Sequence, residues 1–206
     1  MGEKMKKALS ILIVLLMFPI GGLWAAEQSP TADLKPVLED LTGVLGDESL
    51  KGNEHLAERR EKIMSLIKRG FDFREMSKRV LGKTWQEIGD QEKDNFTRLM
   101  TKLLENVYIG KLESYSGQKI EYAAESVKSN RAQVSTFLEN NGVKIPIHYI
   151  MRKAEDRWMV YDINIEGVSL VRNYQEQFKA ILRQDKYEGL VKVLEEKNSS
   201  FETGAQ

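Results

Sequence analysis

The sequence predicts an α+β protein in which a curved, four-stranded antiparallel sheet is wrapped by N- and C-terminal helices. Three observations predict it. Helical periodicity fills residues 34–115, four strand-like segments with short turn-forming links occupy 119–165, and helical periodicity returns from Val168. Helices followed by a run of strands and then by further helices are typical of α+β folds, in which helices cover an antiparallel sheet.

The change from strand to helix near residue 166 is the clearest of these signals. Residues 158–165 are rich in β-branched and aromatic side chains, which favour a strand, and Glu166-Gly167 interrupts it. Apolar residues then recur at helical spacing, and Ser169 is placed to cap the free N–H groups of the new helix. We therefore expect closing helices at 168–185 and 187–197.

Glycines and a capping aspartate delimit the helices before the sheet. A Gly residue follows each periodic segment and can end a helix there, and Asp90 can cap the longest one. These signals predict helices at 34–45, 52–69, 73–81 and 90–115.

The strands are expected at 119–127, 131–139, 143–153 and 157–165. Asn141-Gly142 is a strong two-residue turn signal, because both residues tolerate positive φ. With that turn Val134 opposes Tyr149, and a turn at 155–156 makes Tyr149 oppose Asp162. A three-residue first loop completes one apolar face: Ile120, Tyr122, Ala124, Val134, Leu138, Ile145, Ile147, Tyr149, Met151, Trp158 and Val160. Glu121, Glu125, Gln133, His148, Arg152, Ile163 and Ile165 are expected on the other face.

The first 25 residues are predicted to be a cleavable signal peptide. Three lysines near the start form a basic region, and the apolar segment at 8–18 is too short to span a bilayer comfortably. Leu23-Trp24-Ala25-Ala26 offers a cleavage site, which we place after Ala25. An uncleaved anchor is the alternative, although polar sequence follows at once. We then expect one domain at 26–198 and a disordered tail at 199–206.

The composition argues against several functions. Three of the 31 basic residues and one of the 31 acidic residues fall in the signal peptide, so the mature chain carries 28 and 30. This near-neutral balance argues against a nucleic-acid binder and favours a monomer. The absence of cysteine excludes disulfides and thiolate chemistry. Neither the two histidines nor any glycine-rich loop has the spacing of a metal or phosphate site, so we expect no cofactor.

The strand and helix around residue 166 resemble a known family. The pattern Trp-x-Val-Tyr-Asp, followed by Glu-Gly-Val-Ser-Leu-Val and Asn-Tyr-x-x-Gln-Phe, is similar to that of the MlaC-type periplasmic phospholipid carriers, also called the toluene-tolerance family. The helical half matches in order and spacing through the segment Phe71-Asp72-Phe73, Trp85, Phe96 and Tyr108, among others. Gln175 departs from the pattern, since many relatives carry a basic residue there.

The resemblance implies a soluble periplasmic carrier, with a phospholipid as bound ligand and no enzymatic activity. Its implied partners are an outer-membrane lipoprotein complex and an inner-membrane ABC transporter with a periplasmic lipid-binding subunit. It also implies maintenance of outer-membrane lipid asymmetry. The helix-wrapped sheet itself predicts a curved cone of the nuclear-transport-factor-like kind. Spacing alone favours a solid apolar core, because close packing is the rule in proteins. If a cavity exists, the faces suggest these lipid-binding residues: Leu103, Val107, Val134, Ile147, Tyr149, Met151, Val160, Val168, Val171 and Tyr174.

Three further features leave alternatives open. Lys78, Arg79 and Lys83 flank Trp85 and form either a docking patch for lipid headgroups or an acidic partner, or an ordinary basic helix end. His148 and Asp162 could form an acid/base couple in an enzyme, although the register above places them on opposite faces. A non-lipid envelope chaperone is another candidate function.

Overall fold

The computed structural model describes residues 29–140 and 142–203. Over these residues the chain follows the predicted order of helices, antiparallel strands and helices. The signal peptide predicted at 1–25 and the end of the predicted tail, 204–206, lie outside the described residues.

Within this range five α-helices precede the sheet: α1 (Pro30–Gly46), α2 (Leu56–Gly70), α3 (Phe73–Leu81), α4 (Thr84–Glu87) and α5 (Asp90–Glu113). Two 3-10 turns, Glu48–Leu50 and Asn53–His55, connect α1 to α2. Helix α3 has the predicted bounds. Helix α1 begins before the predicted residue 34, because the Ser29 side chain accepts a hydrogen bond from the Ala32 N–H and Pro30 preorganises the first turn. Helix α4 is a single turn, too short for periodicity to reveal.

The antiparallel sheet has its strands side by side in chain order: β1 (Lys119–Lys128), β2 (Arg131–Asn140), β3 (Val143–Ala154), β4 (Arg157–Ile165) and β5 (Val168–Ser169). The prediction of four strands is therefore wrong. Glu166 and Gly167 form a tight turn with φ of 52° and 88°, so the chain reverses and Val168 pairs with Ile165. The described strands form an open sheet, and the cone stays a prediction.

The two closing helices are α6 (Leu170–Gln184) and α7 (Lys186–Glu202). Helix α7 continues past the predicted boundary at 198. The buried Asn198 explains the extension, because its amide donates to the Leu99 carbonyl at 3.0 Å and accepts from Asn106 at 3.2 Å. These hydrogen bonds attach the last turns of α7 to α5.

The predicted register of the central hairpin is confirmed. Val134 pairs with Tyr149, and Asn140 pairs with Val143 across a two-residue turn in which Gly142 has φ of 80°. Side chains of β2 and β3 alternate between an inner face, which packs against α1, and an outer face on the opposite side. The buried inner-face residues of these strands are Ala132, Val134, Thr136, Tyr149 and Met151.

A β-bulge overturns part of the predicted register between β3 and β4. Met151 pairs with Val160 as expected, but Ile150 rather than Tyr149 pairs with Asp162, so Tyr161 is the extra residue. One inserted residue reverses the facing of everything beyond it. Ile163 and Ile165 therefore lie on the inner face, contrary to prediction, and Asp162 shares the outer face with His148.

A second bulge changes β1. The β1–β2 turn has two residues instead of the predicted three, since Lys128 pairs with Arg131, and Ala123 is the extra residue. The shorter turn and the bulge shift the register in opposite directions, so Tyr122 lies on the predicted inner face. Ala124, predicted inside, faces outward, while Glu125 faces inward opposite Val134.

Helix α1 is attached to the inner face at two strands. The Glu125 carboxylate on β1 accepts a hydrogen bond from the Thr31 N–H at 2.7 Å, and the Asp33 carboxylate on α1 accepts one from the Trp158 N–H on β4 at 2.7 Å. Between these contacts, leucines of α1 pack on the sheet in a buried cluster: Leu34, Leu38, Ala132, Val134, Tyr149, Met151, Trp158 and Val160.

The remaining helices have a core of their own. Apolar side chains of α3, α5, α6 and α7 form a second cluster around Phe96, which is fully buried. A third, small cluster joins α1, α2 and α5 through Leu41, Leu45, Ile63 and Ile109. None of the described helices combines the length and the apolar character that crossing a membrane requires.

Helix α6 is attached to the sheet through Asp162. Its carboxylate accepts hydrogen bonds from the Ser169 hydroxyl at 2.6 Å and from the Val171 N–H at 3.0 Å. Ser169 in turn accepts from the Arg172 N–H, as expected for the N-cap residue. The buried Asp162 thus satisfies a free N–H group in the first turn of α6.

Replacing Asp162 with alanine should therefore destabilise the fold. We expect Asp162→Ala to lower the free energy of unfolding by about 1–3 kcal/mol, because a partly buried N–H and a partly buried hydroxyl lose their acceptor. Urea unfolding measures the change. Glu176→Ala is the control, since the ion pair of Glu176 with Lys179 on the same helix is exposed. Equal stability of the two variants would contradict this role of Asp162.

Candidate functional site

An apolar cavity of about 250 Å³ lies between the inner face, the second half of α1 and the end of α5. Side chains of α1 form one wall, strands β1 to β3 form another, and the end of α5 with the following loop forms the third. The lining residues are Leu38, Leu41, Thr42, Leu45, Lys111, Leu112, Ser114, Tyr115, Gln118, Ile120, Thr136, Leu138, Ile147 and Tyr149.

The cavity forms because α1 packs tightly on only one end of the inner face. At that end Val134, Met151 and Val160 are at most 1% exposed. Toward the β2–β3 turn, Leu138 and Ile147 are only half-buried, although they continue the same two alternating patterns. The leucines of α1 recur at helical spacing along the whole helix, so an apolar wall also faces this part of the sheet.

Hydroxyl groups are buried beside the apolar lining. The Thr136 hydroxyl donates to the Ile147 carbonyl at 3.4 Å. Burial raises the pKa of the Tyr149 phenol well above its usual range. Burial, with a smaller effect of Glu39, raises the pKa of Tyr122 to about 12, and within the described residues the buried Tyr122 hydroxyl has no hydrogen-bond partner. These phenols stay neutral at physiological pH, so the deep part of the site is uncharged.

Polar groups concentrate at the rim near the end of α5. Tyr115 donates its hydroxyl hydrogen bond to the Gln118 carbonyl at 2.9 Å, which holds the loop after α5 in place. Lys111 is exposed and is the cation among the described lining residues. The site therefore has an apolar interior and a polar, positively charged edge.

A larger opening of about 700 Å³ lies between α2 and α5, but its lining is mostly polar. Arg60 on α2 lines it and donates two hydrogen bonds to the Glu113 carboxylate on α5, at 3.0 and 3.2 Å. Ile109 contributes both to this opening and to the small cluster with Leu41 and Leu45, which line the apolar cavity. This small cluster therefore borders both spaces.

The structure divides the ten predicted lipid-binding residues among four places. Ile147 and Tyr149 line the cavity. Three lie in the packed part of the inner face: Val134, Met151 and Val160. Four lie in the helical cluster: Leu103, Val107, Val171 and Tyr174. Val168 is 57% exposed. Their roles in lipid binding stay predictions.

Sequence reasoning missed most of the helical wall. Leu41, Leu45 and Leu112 line the cavity, and their helical spacing was visible, but the same spacing describes ordinary core residues. The position of α1 on the sheet, which makes the difference, depends on hydrogen bonds distant in sequence.

The predicted docking patch does not form one uniform surface. Arg79 is half-buried, pairs with Glu75 at 2.8 Å and lies over the Tyr161 ring at 3.9 Å. The ring contact attaches α3 to β4, whereas the ion pair stays within α3. Lys78 and Lys83 are exposed, so a docking role is open to them and stays a prediction.

His148 and Asp162 share a face but have different partners. His148 Nδ1 lies 2.9 Å from the Ser135 hydroxyl, whereas both oxygens of Asp162 accept hydrogen bonds at the start of α6. The prediction that they lie on opposite faces is wrong, because of the bulge at Tyr161. Among the described residues, no three His, Asp or Glu side chains gather in the way a metal ion requires.

The fold and the cavity define a class of protein: a helix-covered antiparallel sheet that keeps an apolar cavity on its inner face. The chain belongs to the MlaC protein family, whose model matches residues 35–196. This confirms the resemblance found in the sequence.

Two proteins from other organisms are similar to this chain. The chain is 24% identical over 127 residues to the intermembrane phospholipid transport system binding protein MlaC of Haemophilus influenzae, and the match spans 59% of each chain. Its structure is similar to the phospholipid-binding protein of Ralstonia solanacearum, solved in complex with a phospholipid. That likeness has a TM-score of 0.74 and 25% identity, over 84% of this chain and 98% of the other.

The buried phenol of Tyr122 predicts a pH effect on stability. Its folded pKa of about 12 exceeds the unfolded value of about 10, so it contributes stability below pH 10 that is lost as the pH rises toward 12. Tyr122→Phe should be at least as stable as the wild type at pH 7, because it removes an unpaired buried hydroxyl. Across pH 10–12 its relative stability should increase. Urea unfolding at pH 7, 10 and 11 tests this, and a constant difference would refute it.

Proposed function

We propose that this protein is a phospholipid carrier that binds acyl chains in the apolar cavity. The observation that carries the proposal is an apolar cavity with a polar rim, in a member of the MlaC family. The Ralstonia solanacearum protein with the same fold, described as phospholipid-binding, supports it. Burying acyl chains releases about 0.8 kcal/mol per methylene, so hydrophobic transfer alone supplies the driving force and no detailed recognition of the headgroup is needed.

The cavity must widen to hold a lipid. Its volume of about 250 Å³ lies below the roughly 300–1,000 Å³ of ordinary ligand pockets. The sheet wall is held by continuous strand pairing, so we propose that the helical wall moves. The end of α5 is connected to α2 by the Arg60–Glu113 ion pair and to α1 by the small cluster around Leu41. Loosening these contacts would enlarge the cavity at the end where the inner face is half-covered.

The proposed setting is the periplasm. The predicted signal peptide and the intermembrane transport system named for the Haemophilus influenzae relative support it. We propose that the protein carries lipid between an outer-membrane lipoprotein complex and an inner-membrane ABC transporter, and so maintains outer-membrane lipid asymmetry. A lipid that leaves unaided must expose its chains to water, and for that reason release requires contact with a partner.

Filling the cavity should remove the lipid. We expect Ile147→Trp to lower phospholipid occupancy by about tenfold or more, because the indole takes the space of the acyl chains beside Leu138. Native mass spectrometry of the purified mature protein measures the occupancy. Val193→Trp is the control, since Val193 on α7 lies outside the cavity and is exposed. An envelope chaperone would instead purify without lipid, and its function would tolerate Ile147→Trp.

Partner contact and the Arg60–Glu113 pair should both control release. We expect the periplasmic domain of the transporter's lipid-binding subunit to raise the off-rate of a fluorescent phospholipid. Arg60→Ala should raise the unaided off-rate several-fold, because α5 loses its ion pair to α2. Lys62→Ala is the control, since its ion pair with Glu58 stays within α2. Equal off-rates with and without the domain would refute partner-driven release.

A further inference from the structure

Among the described residues no helix packs on the outer face of strands β1, β2 and β3, which α3 meets only through the ion pair of its N-cap residue Asp72 with Arg152. Helices α3 and α6 reach the outer side of the sheet through β4, where Tyr161 contacts Arg79 and Asp162 contacts the start of α6. The three open strands, each ten to twelve residues long, present a surface of roughly 500 Å². This surface is large enough to form the centre of a protein–protein contact.

One end of this outer face carries three cations in a line. Lys128 on β1 pairs with Arg131 on β2, and Arg131 pairs with Arg152 on β3. We call these three residues the cationic row. Like charges directly opposite each other on neighbouring strands destabilise a sheet. The arrangement is therefore unfavourable in the isolated protein unless an anion compensates it.

The protein itself compensates only part of this charge. Asp72, the N-cap residue of α3, accepts hydrogen bonds from Arg152 at 2.6 and 2.8 Å. Lys128 and Arg131 are exposed, and neither forms an ion pair within residues 29–140 and 142–203. Glu155 and Asp156 lie at the same end of the sheet, but Lys153 and Arg157 accompany them.

The rest of the outer face has no comparable excess of positive charge. The next positions are uncharged, with Gln133 and Ile150 opposite each other, and the polar contact of Ser135 with His148 follows. At the far end Glu139 lies between Lys119 and Lys144 on the neighbouring strands. The Glu121 carboxylate forms an ion pair with Lys144 at 2.5 Å. The excess of positive charge is thus confined to the cationic row.

We propose that the cationic row is the docking site for an acidic surface on a partner protein of the carrier. The row offers unpaired cations beside an open, mostly uncharged sheet face, which suits an acidic protein surface. A membrane fits less well, because these strands place no tryptophan or tyrosine on the outer face to anchor at lipid headgroups. The inference rests on the proposed function, since it takes the partner to be a transport component.

The docking site and the cavity lie on opposite faces of the same three strands. A partner bound at the cationic row leaves the polar rim around Lys111 uncovered, so lipid can pass there while the proteins stay in contact. Exposed charges of this kind mainly govern the rate of association and its salt dependence.

The test compares two double variants with equal net charge. Lys128→Glu with Arg131→Glu reverses the row, and Lys186→Glu with Lys197→Glu reverses two exposed lysines on α7. The probe is the purified periplasmic domain of the transporter's lipid-binding subunit, with association followed at low and high salt. We expect the row variant to associate at least about tenfold more slowly at low salt and the difference to shrink at high salt, while the control stays within about twofold.

Three results would overturn the inference. The two double variants could lose association equally, the row variant could associate like the wild type, or the lipid-loaded wild type could fail to bind the domain. Vesicles containing phosphatidylglycerol form a separate arm, and loss of vesicle binding with unchanged domain association would assign the row to a membrane instead. Native mass spectrometry of the wild type distinguishes failure of the docking proposal from failure of the proposed function. A wild type that holds no lipid refutes the proposed function itself.

Discussion

The position of helix α1 on the inner face is the constraint on which the rest of the structure depends. Two hydrogen bonds fix it, one from Thr31 to Glu125 on β1 and one from Trp158 on β4 to Asp33. They connect the first turn of α1 to β1 at one side of the sheet and to β4 at the other. The 17 residues of α1 then extend about 25 Å, with leucines turned toward the strands. Where these leucines meet Val134 and Val160, the core is solid, and beyond that region the same stripe of leucines borders a cavity.

The bulge at Tyr161 decides where the other helices attach. Because one extra residue is inserted, Tyr161 and Asp162 both lie on the outer side of β4. Tyr161 contacts Arg79 of α3 and Asp162 caps α6, so both of these helices are attached at β4. Strands β1 to β3 are consequently covered by α1 on the inner face and left open on the outer face. The cavity and the cationic row both follow from this arrangement.

The proposed carrier function requires the protein to bind an apolar ligand strongly and still release it. Strong binding is provided by the aliphatic side chains of the lining, which contact an apolar ligand without requiring specific polar groups on it. For release, the end of α5 is joined to α1 and α2 by few contacts: a small apolar cluster and the partly exposed Arg60–Glu113 pair. Elements held by few buried contacts are those that open at low free-energy cost. The sheet wall, by contrast, is held by continuous strand pairing from β1 to β4.

The sequence by itself determined the order and type of the main elements, because hydrophobic period and turn chemistry are local properties. Helix α3, strand β4, the turn at Gly142, the central hairpin register and the cap at Ser169 all follow from residues close in the chain. Only the tertiary structure decided the two bulges and the strand β5, since an alternating pattern does not show where one residue is inserted. It also decided which apolar residues line the cavity. Ile147 and Met151 occupy equivalent positions of one alternating pattern, yet Ile147 borders the cavity and Met151 is fully buried. The difference comes from the placement of α1. Two hydrogen bonds hold this helix in place, and they join residues that are 94 and 125 positions apart in the chain.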